Sequence, residues 1–198
     1  MPGDIMVSSV LLVTAHNRTT ELFQSVLTRR QFNSPTVVQS AGHARRIMVN
    51  SPVDIVVIDS PLADESGMQL AVDFAGRDIT GVLLLVSSEQ YEQVQYEVGQ
   101  KGIITISKPL DMQLCRQAMS LLQVTEIRLK KLKQRTESLE MKMAEIRMIN
   151  RAKLILVESL RMSEADAHRY IEKTAMDRCV KRREIAEQII KNAKNIQK

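Results

Sequence analysis

From Asp111 to Leu160 the chain runs fifty residues, DMQLCRQAMSLLQVTEIRLKKLKQRTESLEMKMAEIRMINRAKLILVESL, without a glycine or a proline. Nothing there forces the backbone to turn. Leu122, Thr125, Leu129, Leu132, Thr136, Leu139, Met143, Ile146, Asn150, Lys153 and Val157 fall at alternating steps of three and four. That is a heptad seam of about five repeats. A continuous helix of this length reaches roughly 75 Å at 1.5 Å per residue, too long to fold back on a small domain. Leu129, Thr136, Met143, Asn150 and Val157 take the a positions, and Leu132, Leu139 and Ile146 take d. A lone asparagine at a fixes register and a two-stranded state, and Asn150 fits that role. The spacing predicts a coiled-coil homodimer over residues 121–150, with its seam on Leu129, Leu132, Leu139, Met143, Ile146 and Asn150. The alternative is a single helix lying along a bundle. Lys153, at d, is an awkward charge in a seam and marks a place where two helices would splay.

Upstream, the pattern changes. VLLVTA (10–15), TVVQS (36–40), DIVVIDS (54–60), GVLLLVSS (81–88) and GIITISK (102–108) are short runs rich in Leu and β-branched residues, bounded by turn formers. Stretches of helical period lie between them: RTTELFQSVLTRRQ, AGHARRIMVNS, SGMQLAVDFAGRD and SEQYEQVQYEVGQ. Strands that are apolar on both faces imply a parallel sheet covered by helices on both sides. The expected class is α/β, a doubly wound (βα)5 sheet over residues 1–120. Its third strand ends on Asp59, at the carboxyl edge where ligands bind in such sheets.

Downstream, Ser163 is a good N-cap, with Asp166 three residues on in a capping-box arrangement. One helix should follow, with Ala167, Ile171, Thr174 and Arg178 on one face. A second, KRREIAEQIIKNAK, carries Ile185, Ala186, Ile189, Ile190 and Ala193 on one face. Neither buries a face alone, so both must pack on the end of the long helix as a three-helix unit over residues 151–198. Ala152, Ala167, Ala175 and Ala186 are expected as close-packing points, and His168 as an exposed residue.

Charge divides along the same line. Residues 1–108 hold 8 Lys/Arg against 11 Asp/Glu, whereas residues 109–198 hold 20 against 12. The basic half points to a polyanionic partner, or to a solvated helical surface rich in Lys and Glu. Cys115 and Cys179 form no disulfide framework and no metal spacing. The start, MPGDIMVSSV, does not read as a signal peptide, and the longest apolar runs are far short of a membrane span. The expectation is a cytoplasmic protein with no membrane contact. No paired carboxylates, activated nucleophile, metal cluster or Gly-rich phosphate loop is found, so an enzyme is not expected.

The first 108 residues resemble a response-regulator receiver domain. Asp59 matches the phosphoacceptor, Ser87 the hydroxyl after the fourth strand, and Lys108-Pro109 the pair after the fifth. The resemblance fails at one place. Receivers carry two acids after the first strand that hold Mg²⁺, and here Thr14 and Ala15 stand there, followed by His16 and Asn17. Thr105 stands where a switching aromatic is usual. Mg²⁺ needs oxygen ligands, normally including carboxylates, so no metal or other cofactor is expected. Asp64 and Glu65 are the nearest acids that a site could recruit. A lone carboxylate facing Lys108 should form an ion pair, in a degenerate receiver whose pocket is Thr14, Ala15, Ser87, Lys108 and the possible phosphoacceptor Asp59.

The C-terminal half resembles the ANTAR module, the RNA-binding unit of transcription antiterminators. INRAKLIL, MSEADAHRYI and TAMDRCVKRREIAEQII carry the match. The order of receiver, coiled coil and ANTAR is similar to the amidase-operon type of antiterminator. The resemblance implies binding of two adjacent hairpins in nascent mRNA, by their loops, so that a terminator cannot form. RNA loops are read by stacking and by basic side chains. Arg151, Lys153, Arg178, Lys181, Arg182 and Arg183 are the candidate contacts. Tyr170, the only aromatic after residue 108, either stacks on a base or packs in the bundle, and the shortage of large apolar residues favours packing. A DNA-binding response regulator and a protein-interaction scaffold are the alternatives. The implied partners are RNA, a second copy, and a sensor protein, inhibitor protein or histidine kinase. The missing acids favour control by a partner or ligand over phosphorylation.

Overall fold

The computed structural model describes residues 7–76 and 80–196. The expectation for the first six residues, and for the helical stretch beyond Gly76, falls outside the described residues. The chain divides into two compact units, one ending at Lys131 and the other beginning at Leu132.

In the first unit, β1 (Val10–Val13), β2 (Thr36–Val38), β3 (Ile55–Asp59), β4 (Gly81–Ser87) and β5 (Ile103–Lys108) form one sheet. Its order is β2-β1-β3-β4-β5 and every pairing is parallel. The crossovers are α1 (Asn17–Val26), α2 (Ala41–Asn50), α3 (Met68–Ala75) and α4 (Tyr91–Val98), the last followed by a 3₁₀ turn at Gly99–Lys101. Alternation along each strand divides the core between the two faces. Leu11, Val13, Val56, Ile58 and Leu84 pack with Leu70 and Phe74 on one side. Val10, Leu12, Ile55, Val57, Leu83 and Leu85 pack with Phe23, Met119 and Leu122 on the other. The three central strands, β1, β3 and β4, are thus apolar on both faces, as a covered parallel sheet requires, whereas edge strand β2 buries only Val38. Gly67 begins α3 at φ 83, and a Cβ there would meet Ile58 Cγ2 at 3.1 Å.

The long helix α5 runs from Met112 to Leu160, 49 residues. The Asp111 carboxylate starts it by accepting the Leu114 N–H at 2.7 Å. Its first turns close the sheet core through Cys115, Met119 and Leu122. Leu122, the first seam position in the sequence, is therefore a core residue of the first unit. Polar contacts continue past it. Gln123 donates to the Gln31 carbonyl at 2.6 Å, the Ser8 hydroxyl donates to the buried Glu126, and Lys130 bridges Glu126 and Asp54.

In the second unit, Ala152 and Leu156 of α5 pack with Ala167, Ile171 and Ala175 of α6 (Glu164–Asp177) and Ile185 and Ala186 of α7 (Arg182–Ile196). The four alanines are buried, so the backbones approach closely. The α6 face differs from the expected one. Ala175, not Thr174, continues the buried row after Ile171, and Arg178 lies exposed beyond the end of the helix.

Candidate functional site

Asp59 ends β3 at the carboxyl edge of the sheet, with 1% of its surface exposed. A carboxylate at such depth needs partners. Thr14, just past β1, donates its hydroxyl to Asp59 Oδ2 at 2.6 Å. Thr19, in the first turn of α1, donates to the same oxygen at 2.7 Å. Lys108, at the end of β5, places its Nζ 2.6 Å from Asp59 Oδ1 and also donates to the Ser60 carbonyl at 2.6 Å. Burial alone would raise the Asp59 carboxyl. The Lys108 ammonium and the two threonine hydroxyls outweigh it and hold the group below the ordinary aspartate range.

The other sequence-selected residues are placed less directly. Ala15 is exposed. Ser87 ends β4 but turns its hydroxyl to Gln90 Oε1 at 3.2 Å. Asp64 accepts the backbone N–H groups of Ala41 and Gly42 at 2.9 Å, which caps α2 and keeps its carboxyl low. Glu65 pairs with Arg45 at 2.9 Å, and Arg45 also holds Asp73 at 2.8 Å. Neither acid is therefore free to join Asp59. Among the described residues no group of three or more His, Cys, Asp or Glu side chains comes together to hold a metal. Thr19 is a site residue that sequence reasoning missed. The signal was available: a hydroxyl in the first turn of the helix after β1 stands over the same sheet edge as Thr14.

On the second unit, the turn between α6 and α7 presents a basic surface. The Val180 N–H reaches the Ala175 carbonyl and the Cys179 N–H reaches that of Met176, with Cys179 at φ 53. This is a Schellman ending, and it fixes where the following basic residues emerge. Arg178 donates to Gln188, Arg182 pairs with Glu172 and Arg183 with Glu187, all on the exposed surface. Lys181 and Arg151 are exposed as well. Lys153 is half-buried and pairs with Glu164 of α6 at 2.9 Å, so the charge at the d position ties α5 to the bundle. Tyr170 is 45% exposed, which corrects the expectation that it packs in the core. Small alanines let the helices close without it. His168 is exposed and faces Glu172 at 3.4 Å. Along α5, Leu129, Leu132, Leu139, Met143, Ile146 and Asn150 are exposed in the single chain, whereas Val157 packs partly into the bundle.

Residues 137–190 match the ANTAR domain family. The tail is an ANTAR domain. It spans the second half of α5, all of α6 and most of α7. The first unit is similar to solved receiver domains. One is the signal receiver domain of an HD domain-containing protein from Pseudomonas fluorescens Pf-5. It is 19% identical at a TM-score of 0.56, over 63% of this chain and 93% of that one. Another is the signal receiver domain of a putative Luxo repressor protein from Vibrio parahaemolyticus, 18% identical at a TM-score of 0.56, over 64% and 97%. In sequence, 109 residues are 29% identical to the TorCAD operon transcriptional regulatory protein TorR of Escherichia coli O157:H7. That match covers 54% of this chain and 46% of the relative, so the chain spans about half the length of the curated protein it matches. A domain with the receiver fold thus precedes the ANTAR domain. Among the described residues no helix is long and apolar enough to cross a membrane.

Proposed function

We propose that the protein is a transcription antiterminator whose paired ANTAR domains bind tandem hairpins in nascent mRNA and keep the terminator from forming. The ANTAR match over residues 137–190 carries this reading. The exposed Arg178, Lys181, Arg182 and Arg183 around the α6–α7 turn support it, since such a cluster supplies phosphate contacts, and Arg151 of α5 is exposed as well. Exposed Tyr170 is available to stack on an unpaired base. Two hairpins call for two readers, and the exposed apolar positions of α5 offer a seam for a second copy. The protein acts by binding, in the cytoplasm, and not as an enzyme.

Control runs through the receiver by a partner or ligand more than by phosphorylation. The side chains around Asp59 do not fit Mg²⁺: the Thr14 and Thr19 hydroxyls both occupy Oδ2, the Lys108 ammonium stands 2.6 Å from Oδ1, which accepts no hydrogen bond, and among the described residues no cluster of acids joins them. A sensor protein, inhibitor protein or histidine kinase is the partner class for this domain.

Binding of the full chain to a tandem-hairpin RNA and to a duplex DNA, across a salt series, tests the reading. Parallel samples contain acetyl phosphate and Mg²⁺. The expected result is salt-sensitive preference for RNA that ignores the phosphodonor. Equal binding to both nucleic acids would overturn the antiterminator. Tightening with phosphodonor would overturn the control mode alone.

A further inference from the structure

Asp59 and Lys108 line a cavity of about 410 Å³, whose other polar lining residues are His16, Arg18 and Thr19 and whose apolar ones are Leu22, Pro109 and Leu110. Its charges do not cancel. Lys108 is committed to Asp59, which leaves the Arg18 guanidinium without an ion-pair partner among the described residues. The α1 helix begins here with no side-chain cap on His16 and no acidic residue in its first turn. First-turn N–H groups lack intrahelical partners and favour negative charge. The cavity therefore presents about one uncompensated positive charge and a fork of N–H donors beside an aliphatic wall. A dianion such as phosphate would face the buried Asp59 carboxylate with too little positive charge to offset it. A planar carboxylate matches the guanidinium in geometry and in charge.

We propose that this cavity binds a small organic monocarboxylate, its carboxylate on Arg18 and its carbon tail against Leu22 and Leu110. The proposal rests on the reading that the receiver is not controlled by phosphorylation, and it names the ligand class that replaces the phosphoryl group. The ligand would sit over the Thr19–Asp59–Lys108 contacts, where α1, β3 and β5 meet.

Calorimetric titration of the full chain, without RNA, tests this at constant ionic strength. The probes are acetate, butyrate and hexanoate, with inorganic phosphate in a separate arm. The expected result is saturable binding that tightens from acetate to butyrate, with no comparable binding of phosphate. Arg18→Gln, at an exposed helix position, should weaken it by about tenfold or more, the loss expected for a charge-assisted hydrogen-bonded pair. Arg46→Gln, exposed on α2, should leave it unchanged. No saturable binding of any carboxylate, or undiminished binding to Arg18→Gln, would overturn the proposal. Phosphate binding as tightly as butyrate would also overturn it. Because RNA is absent, each of these results leaves the antiterminator reading standing.

Discussion

At the scale of single residues, Asp59 and Lys108 are unequal partners. The Asp59 side chain is fully buried, whereas that of Lys108 is 29% exposed. Removing the ammonium strands a buried carboxylate, and removing the carboxylate leaves an ammonium that can turn to water. Lys108→Met should therefore cost about 3 kcal/mol, and Asp59→Asn about 1–2 kcal/mol. Urea denaturation of both variants checks the order, and a larger loss for Asp59→Asn would refute it. The same contacts set an acid limit. The Asp59 carboxyl titrates below its ordinary value of 3.8, so the unfolded chain takes up the proton first as pH falls. Its contribution is complete above that ordinary value and is lost as pH drops through 3.8 toward the lowered native one. Asp54, held low by Lys130 and Ser9 against the cost of burial, has the same sign. Denaturation midpoints measured from pH 6 to pH 3 should fall less steeply in Asp59→Asn than in the parent chain, with the Asp54 share remaining. The sequence showed the Asp59–Lys108 pair because strand ends are legible from apolar runs. It held the signal for Thr19, a hydroxyl in the first turn of the helix after β1, but that signal is legible only once the helix is set over the strand edge. It hid the Asp54–Lys130–Glu126 contacts, because their register depends on how α5 packs.

At the scale of elements, the helix ends of the ANTAR domain are the points to test. The Ser163 hydroxyl accepts the Asp166 N–H at 3.1 Å and donates to the Asp166 carboxylate at 2.6 Å. Ser163→Ala should destabilise the domain by about 1 kcal/mol. The other end of α6 is costlier than it needs to be, because Cys179 holds a left-handed conformation that favours glycine. Cys179→Gly should raise stability by up to about 1 kcal/mol, less what glycine adds to the freedom of the unfolded chain. Thermal unfolding of the two variants checks both signs. The Ser163 cap was visible in the sequence because its spacing is a local rule. The left-handed turn at Cys179 was not, since a residue with a Cβ in that conformation contradicts propensity and is held there by the Ala175–Val180 closure. The long helix shows how periodicity can mislead. The same three-and-four spacing serves two purposes in α5: Leu122 fills the sheet core, while Leu132 and Leu139 stay exposed. Hydrophobic spacing predicts that a face is buried, but not against what.

At the scale of the whole molecule, the exposed row on α5 sets the remaining question. Leu139 and Ile146 are 61% and 58% exposed in the single chain. Glutamate at both positions removes nothing from either unit's core, so a Leu139→Glu, Ile146→Glu variant should fold with unchanged helix content. If the seam pairs two chains, the parent should have the mass of a dimer by light scattering, and the variant that of a monomer. The nucleic-acid consequence separates pairing from simple charge. Two linked readers on two linked hairpins gain avidity, by a factor of about a hundred or more when the geometry matches. The variant should therefore lose about a hundredfold in affinity for the tandem RNA while binding a single hairpin as the parent does. Added negative charge acting through general repulsion would weaken both RNAs alike. A monomeric parent, or a variant that remains dimeric, would remove the seam from the mechanism and leave one ANTAR domain to read both loops.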